Sequence, residues 1–234
     1  MLIVVTREAP LSGRACLEVN SAVYQLYNSP GTAGLAVHWM LIELGVPFEM
    51  IMLDFERREQ KSPEYLAINP SGRVPTLIVD GTPYSECAAL LMLLAERHPE
   101  AGFAPPAGAP ERAAYLQWMI YLANTLQPAF RAWFYADEPA GPENAAAAQG
   151  GACVQIEAAW SRLDRHFADG RVFFLGDRRS AADFLATMLM RWSRNMPRPA
   201  TQWGNLAAYV AHMRTLPSLR EVHAREGLTD WIGE

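Results

Sequence analysis

Two stretches of the chain carry residue types that could hold a small peptide. The first is NPSGRVP at 69–75, a turn-rich loop that leads into the apolar run TLIV at 76–79. A proline at the start of a strand cannot donate to the sheet. If the Val74-Pro75 bond is cis, the Val74 N–H and C=O turn outward and are free to pair with an extended peptide.

The second stretch is SEC at 85–87, which precedes the apolar run 88–95 and predicts a helix with Ser85 as its N-cap. A helix N-terminus offers unpaired N–H groups and partial positive charge, which suit a carboxylate. Glu86 beside it could accept from an ammonium. The two stretches fit a peptide that carries both groups, although a hairpin, a cap and a core helix without any ligand would give the same pattern.

These residues resemble the glutathione site of the glutathione transferase superfamily, whose pattern is roughly NPxGxVPxL, a short hairpin, and then ES or DS at the start of a helix. The first half matches closely. In the second half, the serine that binds the γ-glutamyl carboxylate in the family is Cys87 here. The resemblance extends over about residues 23–226 and implies that Arg73, Val74, Pro75, Glu86 and Cys87 bind glutathione as a co-substrate.

Cys87 has two interpretations. A thiol in the first turn of a helix can have a lowered pKa, and beside bound glutathione it could form a mixed disulfide. Alternatively, it is a small residue that fills a space of serine size. The backbone N–H of residue 87 is present in either case.

The resemblance also implies a donor that stabilises the glutathione thiolate, at the end of the first strand or in the turn after it. The Cys-Ser pair of bacterial members falls on Ala33-Gly34, where neither side chain can donate. Thr32 is the favoured catalytic hydroxyl and Ser29 the second choice, with a plain N-cap and a plain turn residue as their alternatives. Tyr27 and Asn28 are further candidates.

The second substrate of this family lies between the domains, against the first long helix of the helical half. Here that helix ends in PAFRAWFY at 128–135. Arg131, Trp133 and Tyr135 would form a wall for a planar apolar electrophile that carries a negative group. Core packing with one solvated arginine is the alternative, and Pro128 predicts a kink.

The elements that position these residues follow from the order of apolar runs and turn signals. Strands are predicted at 23–28 and 48–53, with helices at 34–44 and 63–67. Asp80-Gly81 predicts a hairpin between two short strands, and the helix that begins at Ser85 runs to His98. This β-α-β-α-β-β-α order predicts an α/β thioredoxin-like domain, with its first two strands parallel.

The second half has only helical patterns, which predict an all-α domain. Its helices are expected at 112–136, 145–168, 181–194, 204–215 and 218–225. Ser180 and Asp183 have the spacing of a capping box. The predicted division is an N-terminal extension of unknown role at 1–22, a glutathione-binding domain at 23–102, a Pro/Ala/Gly linker at 103–110 and a helical domain at 111–234.

Composition narrows the class of protein. The net charge of −5 over 234 residues implies no basic surface for nucleic acid. Three cysteines without metal or redox spacing indicate a reduced cytoplasm, and five histidines without an i,i+4 pair support no metal site. No apolar run is long enough to cross a membrane.

The resulting prediction is a cytoplasmic homodimeric transferase that acts in detoxification and joins the glutathione thiolate to a small hydrophobic electrophile. A glutathione-binding or regulatory module of the same fold, with little or no catalysis, is the alternative. A specialised glutathione enzyme, such as an isomerase or a dehalogenase, is a third.

Overall fold

The computed structural model of the chain describes residues 24–233. The extension predicted at 1–22, together with Val23, lies outside the described residues. The remaining chain contains one mixed sheet followed by a helical half, which confirms the predicted thioredoxin-like and all-α halves.

The sheet has four strands in the order β2-β1-β3-β4. They are β1 Tyr24–Asn28, β2 Phe48–Met52, β3 Thr76–Val79 and β4 Thr82–Ser85. β1 is parallel to β2 and antiparallel to β3, and β4 is antiparallel to β3. The parallel pair requires a crossover, which α1 provides.

The helices of this half are α1 Gly34–Leu44, α2 Pro63–Ile68 and α3 Cys87–Arg97. The prediction that Ser85 caps α3 is wrong. Ser85 is the last residue of β4, and Glu86 occupies the N-cap with a φ of 72°. The chain must reverse between β4 and α3, and the left-handed backbone of Glu86 makes that reversal in a single residue.

The helical half contains α4 Arg112–Tyr121, α5 Gln127–Phe134, α6 Asp137–Ala140, α7 Ala145–His166, α8 Ala181–Trp192, α9 Gly204–Arg214 and α10 Pro217–Arg225. The single helix predicted at 112–136 is therefore two helices. They are joined by a π-helical stretch, Leu122–Leu126, that ends just before Pro128. A proline lacks the N–H for the ladder, and the irregular turn in front of it lies where the sequence predicts a kink.

The capping box at the start of α8 is present as predicted. One oxygen of Asp183 accepts from the Ser180 N–H at 2.7 Å, and the other accepts from the Phe174 N–H at 3.0 Å. The Tyr209 hydroxyl also donates to this carboxylate, at 3.1 Å. Asp183 thus connects the start of α8 to the loop before it and to α9.

The two halves pack directly on each other through α1 and α8. Trp39 of α1 lies against Phe184 of α8, with ring centroids 4.4 Å apart, and its indole N–H donates to the Ser218 hydroxyl of α10 at 2.8 Å. Phe103, at the start of the predicted linker, also packs against Phe184, at 5.0 Å. The helical half therefore forms one wall of the region around the start of α1.

Between residues 24 and 233, no helix is long and apolar enough to cross a membrane. The same part of the chain has no group of three or more His, Cys, Asp or Glu side chains arranged to hold a metal ion.

Candidate functional site

Three segments meet at one edge of the sheet. The register of the antiparallel strands places Thr76 opposite Tyr27 on one side and opposite Ser85 on the other. The residues just beyond these positions are therefore neighbours in space: the turn 29–34 after β1, the loop 73–75 before β3, and the start of α3. The predicted glutathione-binding residues and the two favoured hydroxyls, those of Ser29 and Thr32, fall in these three segments, whereas Tyr27 and Asn28 lie at the end of β1.

The loop before β3 is held by the buried side chain of Asn69. Its amide nitrogen donates to the Arg73 carbonyl and to the Thr76 hydroxyl, both at 2.9 Å. Its oxygen accepts from the Ser71 N–H at 3.1 Å and from the Ser71 hydroxyl at 2.7 Å. The Tyr65 hydroxyl also donates to the Arg73 carbonyl, at 2.7 Å. Burial raises the pKa of Tyr65, so this hydroxyl keeps its proton.

Val74 follows this fixed carbonyl with a backbone that has no partner. Within residues 24–233, no hydrogen bond engages its N–H or its C=O. The Val74-Pro75 bond is cis. Arg73 beside it is exposed, and Pro75 is buried. The predicted geometry of this loop, with free polar groups on Val74, is therefore present in the structure.

The start of α3 lies across from this loop. The N–H groups of the first helical turn, beginning with Cys87, have no partners within the helix. Glu86 is exposed, and its positive φ is uncommon for a residue with a side chain. An exposed carboxylate on a strained backbone beside a helix N-terminus is an arrangement typical of ligand sites.

The Cys87 side chain points away from this opening into the protein. Its thiol lies 3.1 Å from the Ala33 carbonyl and is buried. Burial, reinforced by the nearby Glu86 carboxylate, raises the pKa of Cys87 to about 12. The thiol therefore stays protonated at neutral pH, which favours the interpretation of Cys87 as a space-filling residue over that of a reactive thiol.

We expect Cys87 to resist alkylation in the native protein, because the thiolate is the reacting species and little of it forms. Iodoacetamide at neutral pH should label the partly exposed Cys153 and leave Cys87 unlabelled until denaturant is added. Peptide mass spectrometry measures both. Rapid native labelling of Cys87 would contradict its buried, protonated state.

The turn after β1 contains two hydroxyl groups in different situations. The Thr32 hydroxyl lies 2.8 Å from the Asn28 side-chain oxygen and 2.7 Å from the Ser29 carbonyl, so its proton is already used within the turn. It does not cap α1, whose N-cap is Ala33. The Ser29 hydroxyl has no hydrogen-bond partner among the described residues. The N–H groups of Ala33 and Gly34, at the start of α1, are also unpaired there.

Gly34 gives the Asn28 side chain its space. A Cβ atom at Gly34 would lie 2.0 Å from the Asn28 side-chain oxygen and 2.5 Å from its Cγ. Asn28 is fully buried and cannot swing into solvent. The glycine at 34 and the asparagine at 28 are thus mutually dependent, and Asn28 shapes the turn from inside.

Two residues that the sequence analysis missed hold this turn from the helical half. The Glu226 carboxylate, just after α10, accepts from the Gly31 N–H at 2.8 Å and from the Asn28 amide at 2.8 Å. The Trp192 indole N–H donates to the Gly31 carbonyl at 2.9 Å. Neither residue belongs to a local motif, and in the sequence each is an ordinary residue near a helix end.

The aromatic segment of α5 reaches this region through Trp192. The Phe134 ring packs against Trp192 with centroids 5.8 Å apart, and Phe134 is 46% exposed. Trp133 packs against Phe134 at 4.9 Å. Arg131 pairs with Glu138 and lies 3.8 Å above the Tyr135 ring, so its charge is already matched. Phe134 and Trp192 thus connect the aromatic wall to the turn after β1.

Comparisons with known proteins agree with this architecture. Residues 22–96 match the family model described as Glutathione S-transferase, N-terminal domain, and residues 142–212 match Glutathione S-transferase, C-terminal domain. The chain is 29% identical over 208 residues to the glutathione S-transferase GST-4.5 of Xanthomonas campestris pv. campestris, which covers 87% of this chain and 99% of the relative.

Solved structures give the same result. A sphingomonad glutathione S-transferase complexed with glutathione is 30% identical, with a TM-score of 0.75, over 88% of this chain and all of that one. A glutathione transferase homologue from Sulfitobacter with bound glutathione is 27% identical, with a TM-score of 0.79, over 87% of this chain and 98% of the other.

Proposed function

The chain belongs to the glutathione S-transferase superfamily, and we propose that it is a glutathione transferase that joins the thiolate of glutathione to a small apolar electrophile. Relatives named glutathione S-transferase along nearly their whole length support the activity, and structures with bound glutathione support the co-substrate. The observation that carries the proposal is the pair of free polar groups on Val74, opposite the open N-terminus of α3.

Glutathione would bind along these two segments. The Val74 N–H and C=O would pair with the cysteinyl backbone, as in the addition of a strand to a sheet edge. The γ-glutamyl carboxylate would take the Cys87 N–H, and its ammonium would take the Glu86 carboxylate. Arg73 is exposed beside Val74 and is suited to the glycyl carboxylate, while Pro75 fixes the direction of the chain.

The thiol would then point to the turn 29–34. The unpaired N–H groups of Ala33 and Gly34 at the N-terminus of α1 favour a thiolate there. Ser29 has a free hydroxyl that could donate to the sulfur, whereas the Thr32 hydroxyl would first have to leave its acceptors in the turn. We therefore propose Ser29 and Thr32 as the candidate donors, with Ser29 first.

The electrophile would lie against the aromatic side of α5. Phe134 and Trp192 form the part of this wall next to the turn, with Trp133 behind Phe134. Tyr135 and Arg131 extend it outward. Because Arg131 is already paired with Glu138, an apolar aromatic electrophile fits this surface better than a strongly anionic one.

We also propose a homodimer formed through α4. Ala113, Leu116, Gln117, Ile120 and Asn124 form a continuous stripe along one side of α4 and the π-helical stretch after it, and they line an open groove. Ile120 is 56% exposed in the centre. Replacing Ile120 with Asp should convert a dimer into a monomer in light scattering after size exclusion, because a charge would be buried at the contact. A monomeric unmodified protein would contradict this proposal.

A cytoplasmic location completes the proposal, because the compartment keeps both Cys87 and Cys153 as free thiols and supplies reduced glutathione. Fractionation of the source cells with detection by antibody tests it.

One experiment tests the function. Glutathione is titrated by calorimetry, and thioether formation is then measured with a panel of electrophiles that begins with chlorodinitrobenzene. Binding followed by conjugation supports the transferase. Binding without turnover on any electrophile would favour a binding module of the same fold, and no binding at millimolar glutathione would remove both functions.

A further inference from the structure

The buried carboxylate of Glu226 joins the C-terminal end of the chain to the turn after β1. Its side chain is 0% exposed. One oxygen accepts from the Asn28 amide at 2.8 Å and lies 2.8 Å from Nδ1 of His38. The other accepts from the Gly31 N–H at 2.8 Å. Three donors, from the end of β1, the turn and α1, thus converge on one side chain that is 188 to 198 residues away in the sequence.

These contacts continue to the groups that face the thiol. Asn28, held by Glu226, accepts from the Thr32 hydroxyl at 2.8 Å. Gly31 is held at both ends, its N–H by Glu226 and its carbonyl by the Trp192 indole. Gly31 has a φ of 69°, and because glycine has access to several backbone conformations, these two contacts help to select this one. The Thr32 hydroxyl, through Asn28, and the backbone of the turn, through Gly31, are thus connected to Glu226.

The charged groups around Glu226 are few. His38 comes from α1, Arg191 from α8, His223 from α10, and Asp230 from the segment after α10. Arg191 is buried and pairs with Asp230, and its Nη1 lies 3.0 Å from where a Cβ of Gly31 would be. The carboxylate of Glu226 is thus matched by hydrogen bonds and by a buried guanidinium nearby, and it touches none of the groups proposed to bind the glutathione backbone.

We propose that Glu226 is a positioning residue for thiol activation: it fixes the turn 29–34 so that its donors meet the glutathione sulfur in one orientation. This inference rests on the proposed function. Glu226 does not touch either substrate in this arrangement, and it acts through Asn28 and Gly31.

Glu226→Gln tests the proposal with little change in shape. A glutamine offers one acceptor oxygen and one NH₂ group, so it cannot accept from all three donors. We expect kcat to fall about 10- to 100-fold, as for loss of a precise catalytic geometry, while KM for glutathione changes by less than about twofold. The ultraviolet absorbance of bound glutathione thiolate should titrate at higher pH, and hydrogen exchange at Gly31 should be faster.

Exchanging the amide and carboxylate groups between positions 28 and 226 should restore the kcat that Glu226→Gln loses. In Asn28→Asp/Glu226→Gln, the glutamine NH₂ can donate to the new carboxylate, while its oxygen accepts from Gly31. His38 can change tautomer and move its proton to Nε2, so that Nδ1 accepts from the same NH₂. The aspartate still accepts from Thr32. We expect kcat to recover at least in large part, which a general loss of stability would not do.

Two variants serve as matched controls. Asp183→Asn removes another buried carboxylate of the helical half, so it should lower Tm without moving the thiolate titration. Glu221→Gln removes an exposed partner of Arg225 on α10 and should change nothing. If Glu226→Gln does not fold, Glu226→Asp, which retracts the same carboxylate by one methylene, should show the same loss of kcat.

The outcomes separate the two proposals. An unchanged kcat in folded Glu226→Gln, or a loss of kcat that follows Tm as in Asp183→Asn with no rescue, would overturn the positioning role. A wild-type protein that binds glutathione and conjugates nothing would overturn the proposed function instead. The thiolate titration and the hydrogen exchange at Gly31 need no turnover, so they would then decide the role of Glu226 by themselves.

Discussion

Gly34→Ser is expected to lower both stability and turnover, although the Cys-Ser pair of bacterial members of the family places a serine at this position. A Cβ at residue 34 would lie 2.0 Å from the Asn28 side-chain oxygen, which is far inside contact distance. Asn28 resists displacement, because it is fully buried and bonded to Glu226 and Thr32. Such overpacking costs about 1–3 kcal/mol, so we expect Tm to fall by about 2–12 °C.

The loss of kcat should be larger than the loss of folding stability alone would cause. Relief of the clash has to push Asn28 or the start of α1 outward, and either movement displaces the Ser29 and Thr32 hydroxyls. A displacement of about 1 Å in a catalytic group can cost about a hundredfold in rate, and we expect a loss of that size in kcat. Differential scanning fluorimetry and conjugation of chlorodinitrobenzene measure the two effects.

Gly204→Ser is the matched control, because Gly204 is also the first residue of a helix and a Cβ there would meet nothing within 4 Å. The double variant Asn28→Ala/Gly34→Ser removes the obstructing amide and should recover much of the lost Tm. It should not recover kcat, because the connection from Glu226 through Asn28 to the Thr32 hydroxyl is then gone. A Gly34→Ser protein as stable and active as the unmodified one would show that Asn28 yields easily.

The elements that sequence reasoning located correctly are those whose signals are local. Asp80-Gly81 predicted the hairpin, and both residues have the positive φ values that a tight turn between β3 and β4 requires. Ser180 and Asp183 predicted the start of α8 from their spacing alone. The prediction for Ser85 was wrong. A serine before an apolar run is typical of an N-cap, but here Ser85 pairs with Thr76 in the sheet, and this pairing outweighs the local preference.

The parts of the site that could not be predicted depend on contacts between distant segments. Glu226 lies 195 residues from Gly31, and nothing in the sequence around it marks it as more than a helix end. The same holds for Trp192, which connects the α5 wall to the turn. In the sequence, Ala33-Gly34 appears only as the absence of a Cys-Ser pair. In the structure, the missing side chain of Gly34 leaves the room that the Asn28 side chain occupies.

Asn69→Ala should weaken glutathione binding more than any change to the side chain of Val74. Asn69 donates to the Arg73 carbonyl and the Thr76 hydroxyl and accepts twice from Ser71. Alanine leaves these groups without their partner, and each buried one costs about 1–3 kcal/mol. The loop before β3 then loses the anchor that sets the direction of the Val74 N–H and C=O.

We expect the Kd for glutathione to rise about 10- to 100-fold, which corresponds to about 1.4–2.8 kcal/mol of lost binding free energy. The reason is that a ligand which pairs with a mobile backbone must order it first. With saturating glutathione, kcat should change much less, because the turn 29–34 is held separately by Glu226. Calorimetric titration and steady-state kinetics give the two numbers.

Asn205→Ala separates this effect from general destabilisation. Asn205 is a similarly bonded asparagine at the start of α9, where its amide donates to the Asp164 carbonyl at 3.0 Å and to its carboxylate at 3.1 Å. Its loss should lower Tm and leave the Kd for glutathione unchanged. If both variants weaken binding equally at equal loss of Tm, binding follows the stability of the whole fold. If only Asn69→Ala weakens binding, the affinity for glutathione depends on the local order of the loop before β3. In that loop, the Asn69 amide keeps the Val74 N–H and C=O in the orientation that a peptide needs.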